Sequence, residues 1–297
     1  SFFGLSGSGK STLTHAKHDD KYDIEVLHDD AFVISVEDGS SVALEPSYFD
    51  KTNDYPAGHR EQDYFVTVQN CGVTLDENGR KVLVTEDIRN GNGRTIKSRY
   101  STPNRVDKIQ EPIQSIFWIM KDDALPPLVK ITDPRLASIL GCTLMTKRST
   151  AENTGAGANL DALVIEPYAN PFRVYPLVED YEKFKALFDK GVDCYIINTG
   201  DYLGKKVTKE VSLGVIETVV DGKANFELFG GLPGMEYLPV EGYEVPDMNG
   251  EYAELIRDRM QFRLDYLKAF NDANPEHQIP QDALESIKTI ERFIDVL

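Results

Sequence analysis

The sequence has 297 residues, 41% of them hydrophobic, and its 49 acidic and 32 basic side chains give a formal net charge of −17. Such a chain can build one large domain or two small ones. The acidic excess argues against nucleic acid or an anionic membrane surface as the main partner, since both would be repelled. No apolar run reaches the roughly 18 residues of a membrane-spanning helix.

A glycine-rich loop, GLSGSGKS at residues 4–11, matches the pattern G-x-x-x-x-G-K-[ST] in full. Glycines allow successive backbone N–H groups to point into one concavity, and the helix predicted over 10–16 would offer its N-terminal end to an anion. The lysine of such a loop reaches the β- and γ-phosphates, and the last hydroxyl ligates Mg²⁺. The alternative is a flexible turn of glycine and serine. The pattern predicts a phosphate-binding loop made of Ser6, Gly7, Ser8, Gly9, Lys10, Ser11 and Thr12.

The residues before the glycine-rich loop, Ser1-Phe2-Phe3, have the character of a strand end. A parallel strand normally has about five residues. We therefore expect the sequence to be a fragment of a longer chain, with further sequence upstream.

An acidic pair follows the next apolar segment, where IEVL at residues 24–27 leads into His28-Asp29-Asp30. A phosphate-binding loop of this kind is expected to have an acid at a nearby strand end. One aspartate of the pair would meet the metal directly or through water. The alternative is a solvated acidic turn.

Further elements follow from hydrophobic periodicity. Strands are predicted over 24–30, 31–38, 64–75, 81–87, 115–120, 162–168 and 194–200, and helices over 133–144, 178–190, 250–271 and 280–297. The segment 229–248, rich in glycine and proline, is predicted to be a loop or linker. The pattern predicts an α/β fold of the mixed α+β kind, in which a mixed β-sheet carries the glycine-rich loop and helices follow at the C-terminal end. We expect a nucleotide-binding domain over 1–228 and, over 229–297, the linker with a helical segment packed on that domain.

The three cysteines, Cys71, Cys142 and Cys194, lie far apart in the sequence. None belongs to a C-x-x-C pair, and the count is odd. We expect reduced, buried thiols in a cytoplasmic protein, without a disulfide or zinc framework.

Several of these motifs together resemble one enzyme family, the ATP-dependent phosphoenolpyruvate carboxykinases. GLSGSGKST (4–12) resembles the family's GLSGTGKTT, and the double aspartate follows it as in the family. SIFWIMKDDALPPLVKIT (115–132) resembles the family's strand, turn and LPPxxKLT, and YIINTG (195–200) resembles its YLVNTG. The blocks occur in the family's order over about residues 1–222, which corresponds to the family's C-terminal, nucleotide-binding part.

The resemblance implies roles for residues that match the family's motifs. Asp30 matches the family's metal-ligating aspartate, and Asp29 matches the neighbour that helps to hold the water of Mg²⁺. Lys51 lies where a family lysine approaches the nucleotide. Together with Ser11, the two aspartates form the implied metal site.

Two arginines and a threonine complete the implied site. Arg99, in KSRYSTP, matches the arginine of the family's NTRxxYP that contacts the transferring phosphoryl group. Arg148 aligns with the arginine that begins the adenine-binding loop, and Thr154 would stand near the base. The catalytic residues implied are Lys10, Arg99 and Asp30.

The activity implied by the resemblance is the conversion of oxaloacetate and ATP to phosphoenolpyruvate, ADP and CO₂, a reaction of gluconeogenesis. The cofactors would be ATP, Mg²⁺ and Mn²⁺, and the other ligands oxaloacetate or phosphoenolpyruvate. This chain would carry the ATP- and metal-binding half. The resemblance also implies that the family's N-terminal domain, which supplies most of the arginine and tyrosine side chains that bind oxaloacetate, is missing from this fragment.

Two alternatives stay open. One is a P-loop kinase that transfers the phosphoryl group to a protein serine or a small metabolite. The other is a nucleotide-binding relative without turnover, because the family's Leu-Glu-Asn reads Val68-Gln69-Asn70 here and lacks the carboxylate. The sequence also departs from the family at 31–34, with AFVI in place of Glu-His-Gly-Trp, and at 148–152, with RSTAE in place of Arg-Gly-Ile-Thr-Glu.

Overall fold

The computed structural model describes residues 1–5, 8–14, 16, 18–28, 31–45, 47–51, 72–83, 94–98, 104–147 and 163–296, with backbone alone at 47–51, 82–83 and 94–98. Contacts divide the chain into two compact units. The first joins Ser1–Ala16 to Ile113–Leu297, and the second is Lys17–Pro112. The first unit therefore contains both the glycine-rich loop and the C-terminal helices, while the domain division expected at residue 228 stays a prediction.

Most strands of the described chain are short. In chain order they are β1 (Phe2–Phe3), β2 (Phe32–Ile34), β3 (Ser41–Ala43), β4 (Ser47–Lys51), β5 (Val73–Leu75), β6 (Lys81–Leu83), β7 (Arg94–Ser98), β8 (Lys108–Ile109), β9 (Ser115–Met120), β10 (Leu128–Ile131), β11 (Met145–Lys147), β12 (Leu163–Ile165), β13 (Asp193–Asn198), β14 (Asp201–Tyr202), β15 (Lys205–Lys206), β16 (Glu227–Leu228) and β17 (Met235–Tyr237). The helices are α1 (Lys10–Thr14), α2 (Pro134–Cys142), α3 (Leu177–Asp189), α4 (Lys209–Val220), α5 (Gly250–Ala273) and α6 (Gln281–Ile294). Short 3-10 turns lie at His18–Asp20 and Pro167–Ala169.

A six-stranded sheet organises the first unit, in the order β1-β9-β13-β10-β17-β16. β1, β9 and β13 are parallel, whereas β10, β17 and β16 are antiparallel to their neighbours. The prediction of a mixed sheet with helices at the C-terminal end is thus confirmed. Because β1, β9 and β13 run in one direction, the residues that follow them meet at one side of the sheet, which we call the carboxyl edge.

The two faces of this sheet are both covered, which explains the uninterrupted apolar sequence of β9. Phe117 and Ile119 lie in a core cluster with Val215 of α4. Trp118, one position along and therefore on the opposite face, packs against the rings of Tyr168 and Phe184. The buried side chains of β9 thus fix the strand from both sides.

Local signals explain where the helices begin. Asp133 caps α2, because its carboxylate accepts from the backbone N–H groups of Arg135 and Leu136, both at 2.9 Å, while Pro134 takes the first turn. Thr208 caps α4 through a bond from Val211 N at 3.3 Å. The last helix, α6, buries one apolar stripe at helical spacing and packs on α2 and α5; the stripe is Leu284, Ile287, Ile290 and Ile294.

The structure corrects several sequence predictions. The segment 229–248 is not only a linker, since β17 within it pairs with β10 in the main sheet. The strand predicted over 24–30 is absent from the described residues 24–28, where Val26 makes one isolated bridge to Arg105. The strand predicted over 162–168 ends at Ile165. Several elements were not predicted, among them α4 and, in the main sheet, β10 and β17.

Other predicted strands survive in shortened form or fall partly outside the described residues. β2 occupies three residues of 31–38, β5 the last three of 64–75 and β6 the first three of 81–87. Within the second unit, strands pair antiparallel as β2-β3-β8, β4-β7 and β5-β6. No helix among the described residues is long and apolar enough to cross a membrane.

The two cysteines that the structure describes agree with the expected thiols. Cys142 and Cys194 are free and buried. Burial raises the pKa of both thiols, which keeps them protonated and weakly reactive. Cys71 lies outside the described residues.

A buried ionic cluster joins α5 to the turn that follows β9. Asp122 has a 1% exposed side chain, and one of its oxygens accepts from Arg259 Nε at 3.0 Å while the other lies 3.7 Å from Arg263. Arg259 also reaches Asp123 at 2.7 Å. Burial lowers the pKa of Arg263 to about 10, and the charge of Asp122 opposes this shift.

We expect Asp122→Asn to destabilise the fold strongly. The substitution keeps the shape but leaves the buried guanidinium of Arg263 without its carboxylate, and breaking such a pair typically lowers the free energy of unfolding by about 3–5 kcal/mol. Urea unfolding followed by circular dichroism measures this change.

The matched control is Asp295→Asn, which removes an exposed ion pair between α5 and the end of α6, Arg257–Asp295 at 3.1 Å. Exposed pairs contribute at most about 1 kcal/mol. Equal losses in the two variants would show that the Asp122 cluster is no more important than a surface pair.

Candidate functional site

The glycine-rich loop follows β1 and leads into α1. Ser8 N donates to Leu5 O at 3.0 Å, and Leu13 N donates to Gly9 O at 3.0 Å, which is the first bond of the helix. Gly9 has φ +104°, a conformation that other residues rarely adopt. The last glycine of the pattern is therefore required by the backbone at the point where the loop becomes helix.

The first glycine of the loop is required for a different reason, which is close packing. A Cβ atom added to Gly4 would lie 2.4 Å from Ser8 Oγ and 2.9 Å from the Cβ of Ile119 in β9. The loop is thus folded tightly over its own first residue and against the neighbouring strand. Ser8 itself is buried at 3% exposure.

The lysine of the loop turns back toward the strand that precedes it. Lys10 Nζ donates to Gly4 O at 2.5 Å and to Leu5 O at 3.3 Å. These bonds hold the ammonium group over the first residues of the loop, next to the carboxyl end of β1. The hydroxyl-bearing residues that follow lie in α1, where Ser11 is half-buried and Thr12 is exposed.

The carboxyl edge brings a second segment against the loop. Thr199, directly after β13, donates its hydroxyl to Ser8 O at 2.8 Å. Its methyl group also lies 3.9 Å from the position of a Cβ on Gly9. In the sheet, β9 lies between β1 and β13. The bond from Thr199 to Ser8 therefore passes over the end of β9 and connects the glycine-rich loop after β1 with the segment after β13.

The residue before Thr199 fixes the turns at this edge. Asn198 is fully buried, and its Nδ2 group donates to the carbonyls of Asp122, Leu125 and Asp201 at 2.8, 2.6 and 3.0 Å. Its Oδ1 accepts from Gly200 N at 2.9 Å. One side chain therefore satisfies backbone groups from the turns after both β9 and β13.

Several predicted site residues lie outside the described residues: Ser6, Gly7, Asp29, Asp30, Arg99, Arg148 and Thr154. The backbone of Lys51 lies in β4, but its side chain is not described. Of the predicted set, the structure therefore describes Ser8, Gly9, Lys10, Ser11 and Thr12, which form one continuous segment.

The described residues on either side of the double aspartate make several hydrogen bonds. His28 is buried, and its Nδ1 accepts from Ala31 N at 2.8 Å, a bond that spans the two aspartates. Arg105, also buried, donates to Leu27 O at 2.9 Å and to Glu45 O at 3.0 Å. The described part of the chain shows no group of three or more His, Cys, Asp or Glu side chains arranged to hold a metal.

Sequence reasoning missed Asn198, Thr199 and Asp122 as structural parts of this site. Their positions carried a signal, because each lies at or just beyond the carboxyl end of a long, buried, parallel strand, where α/β folds place binding residues. Asn198 and Thr199 belong to the NTG motif, and Asp122 to the KDD turn.

Comparison with known proteins gives one consistent result. A family model described as phosphoenolpyruvate carboxykinase matches residues 1–247. The phosphoenolpyruvate carboxykinase (ATP) of Aeropyrum pernix is 24% identical over 292 aligned residues, which cover 88% of this chain and 55% of the relative. The chain thus spans about half the length of this curated relative.

We expect Gly4→Ala to destabilise the protein by about 1–3 kcal/mol, because the new methyl group overlaps Ser8 Oγ and the Ile119 side chain. Chemical denaturation gives the free energy of unfolding. The control is Gly214→Ala in α4, where an added Cβ meets nothing within 4 Å and alanine favours the helix. A Gly4→Ala protein as stable as the parent would contradict the close packing of the loop on β9.

Proposed function

Because the chain belongs to the phosphoenolpyruvate carboxykinase family, we propose that it carries the ATP- and metal-binding half of an ATP-dependent carboxykinase. The reaction is the conversion of oxaloacetate and ATP to phosphoenolpyruvate, ADP and CO₂. The observation that supports it most is the contact between Thr199 and Ser8, since it braces the glycine-rich loop at the carboxyl edge of a sheet. Ligands of open α/β sheets bind at that edge.

The nucleotide's phosphates would lie against the glycine-rich loop, with Lys10 as the nearest cation. Its ammonium would exchange the carbonyls of Gly4 and Leu5 for phosphate oxygens, which form stronger, charge-assisted bonds. Phosphoryl transfer depends mainly on positioning and on neutralising charge, so a lysine held at the loop suits this role. The base would lie near Arg148 and Thr154, as the family resemblance implies.

The implied metal site has a donor set of the right chemistry. The hydroxyl of Ser11 and the carboxylates of Asp29 and Asp30 are the hard oxygen ligands that Mg²⁺ and Mn²⁺ prefer. When bound, the metal supplies positive charge to the phosphate oxygens. On either side of the two aspartates, Ala31 N donates to His28 Nδ1 at 2.8 Å.

In the proposed reaction, the bond between C3 of oxaloacetate and its carboxylate breaks, releasing CO₂ and leaving the electron pair in the enolate of pyruvate. The enolate oxygen then attacks the γ-phosphorus of ATP, and ADP departs with the electrons of the broken P–O bond. Lys10 would stabilise charge on the moving phosphoryl group, and Arg99 would bridge donor and acceptor oxygens through its two-pronged guanidinium.

We expect Lys10→Ala to lower kcat/KM for oxaloacetate-dependent ADP formation by at least about 100-fold, because a cation aimed at the phosphates is lost. The measurement uses the full-length protein with ATP, oxaloacetate and either Mg²⁺ or Mn²⁺. Lys183→Ala is the matched control, since this lysine is exposed on α3, where it pairs with Glu179 at 3.2 Å and lies 5.5 Å from the centre of the Tyr175 ring.

The same assay separates the alternatives. ADP formation that ignores oxaloacetate but responds to another acceptor would favour a kinase, and tight MgATP binding without product would favour a non-catalytic relative. Either result would remove the carboxykinase proposal. Equal activity of the Lys10→Ala and Lys183→Ala proteins would remove the glycine-rich loop from the mechanism.

A further inference from the structure

A lysine to which the family resemblance assigns no role lies at the centre of the carboxyl edge. Lys121 directly follows β9, the strand between β1 and β13. The register of β1 with β9 pairs Phe3 with Trp118, and Gly4 packs next to Ile119. If this register continues beyond the ends of the two strands, Lys121 lies next to the start of the glycine-rich loop.

The other side of Lys121 faces the segment that braces this loop. Thr199 N donates to Met120 O at 3.0 Å, which extends the ladder of β9 and β13 to their ends. A Cβ on Gly200 would lie 3.1 Å from both the Cα and the Cβ of Lys121. Lys121 therefore lies between the glycine-rich loop and Thr199, whose hydroxyl bonds to Ser8.

A second ammonium group lies near that of Lys121. Lys206 in β15 donates to Thr199 O at 3.4 Å. Partial burial of Lys121 lowers the pKa of its ammonium group, and the charge of Lys206 lowers it further. Two ammonium groups close together in a partly buried site repel each other, which disfavours their charged forms. An anion bound between them would favour the charged forms again.

We propose that Lys121 is a phosphoryl-binding residue that acts with Lys10 and is supported by Lys206. Lysine is a suitable residue, since it binds phosphate as a point charge on a flexible stem. The ligand class is a phosphoryl group, carried either by the nucleotide as its terminal phosphate or by phosphoenolpyruvate. The inference rests on the proposed function, because it assigns a further cation to the same site.

Lys121→Met tests the proposal, because methionine keeps an unbranched stem and removes the charge. Isothermal titration calorimetry of the full chain with MgATP, MgADP and phosphoenolpyruvate gives the dissociation constants. We expect the Kd for MgATP to rise about 10- to 100-fold, the range of a hydrogen bond to a charged group. Lys121→Arg should retain most of the affinity because the charge is kept.

The matched control is Lys205→Met, one residue from Lys206. Lys205 Nζ donates to Gly242 O at 2.6 Å and lies 4.5 Å from the centre of the Tyr243 ring. Lys205→Met removes one positive charge from the β14–β15 hairpin, which also carries Lys206. We expect the Kd of this variant for MgATP to change less than twofold. Thermal unfolding of each variant shows whether the protein is folded during the titrations.

Each outcome bears on the proposal. A rise for MgATP but not MgADP assigns the terminal phosphate of the nucleotide, and a rise for phosphoenolpyruvate alone assigns the phosphoryl group of that ligand. If Lys10→Ala abolishes MgATP binding while Lys121→Met leaves all three constants unchanged, the inference is overturned and the proposed function stands. If the parent chain binds none of the three ligands, both are overturned.

Discussion

The candidate site depends on how one buried amide satisfies the backbone at the ends of two neighbouring strands. Asn198 donates to carbonyls in the turns after β9 and β13 and accepts from Gly200 N. A buried polar group left without a partner destabilises a fold by about 1–3 kcal/mol, so replacing this residue would affect several groups at once. Asparagine suits the position because its short side chain carries both donors and an acceptor. The shape of the carboxyl edge follows from these bonds.

The same edge links the C-terminal helices to the glycine-rich loop. The carbonyl of Asp122 accepts from Asn198, and the carboxylate of Asp122 meets Arg259 and Arg263 of α5. Thr199, next to Asn198, then holds the backbone of Ser8. These contacts form one continuous series from α5 to the loop. A change in α5 can therefore reach the loop without touching a ligand, provided that it moves the turn at 121–125.

Sequence reasoning succeeded where one strong pattern determined the structure. The apolar runs of β9 and β13 are long enough to indicate buried strands, and the apolar stripe of α6 has a clear helical period. It failed for α4, because valines and isoleucines favour strands and the helix depends on the cap at Thr208 and on packing against the sheet. It also failed for β10 and β17. Each is short, and the two strands pair with each other across about 100 residues of sequence, so this pairing decides their conformation. The glycine-rich loop could be found in the sequence because its backbone requires glycine at fixed spacings. Asn198 and Asp122 were missed, because they act mainly through contacts with residues distant in sequence.

The charge of the chain explains why the cations of the carboxyl edge matter. A net charge of −17 repels a nucleotide at long range. Salt screens exposed charges over about 10 Å, so this repulsion weakens at physiological ionic strength, while contacts in a partly buried site are screened much less. Lys10 begins α1 at the end of the glycine-rich loop, and the half-buried Lys121 directly follows β9, the strand next to β1. Affinity for phosphate in this chain must therefore come from short-range contacts at the edge, and it should depend less on salt than the affinity of a protein that attracts its ligand through a positive surface.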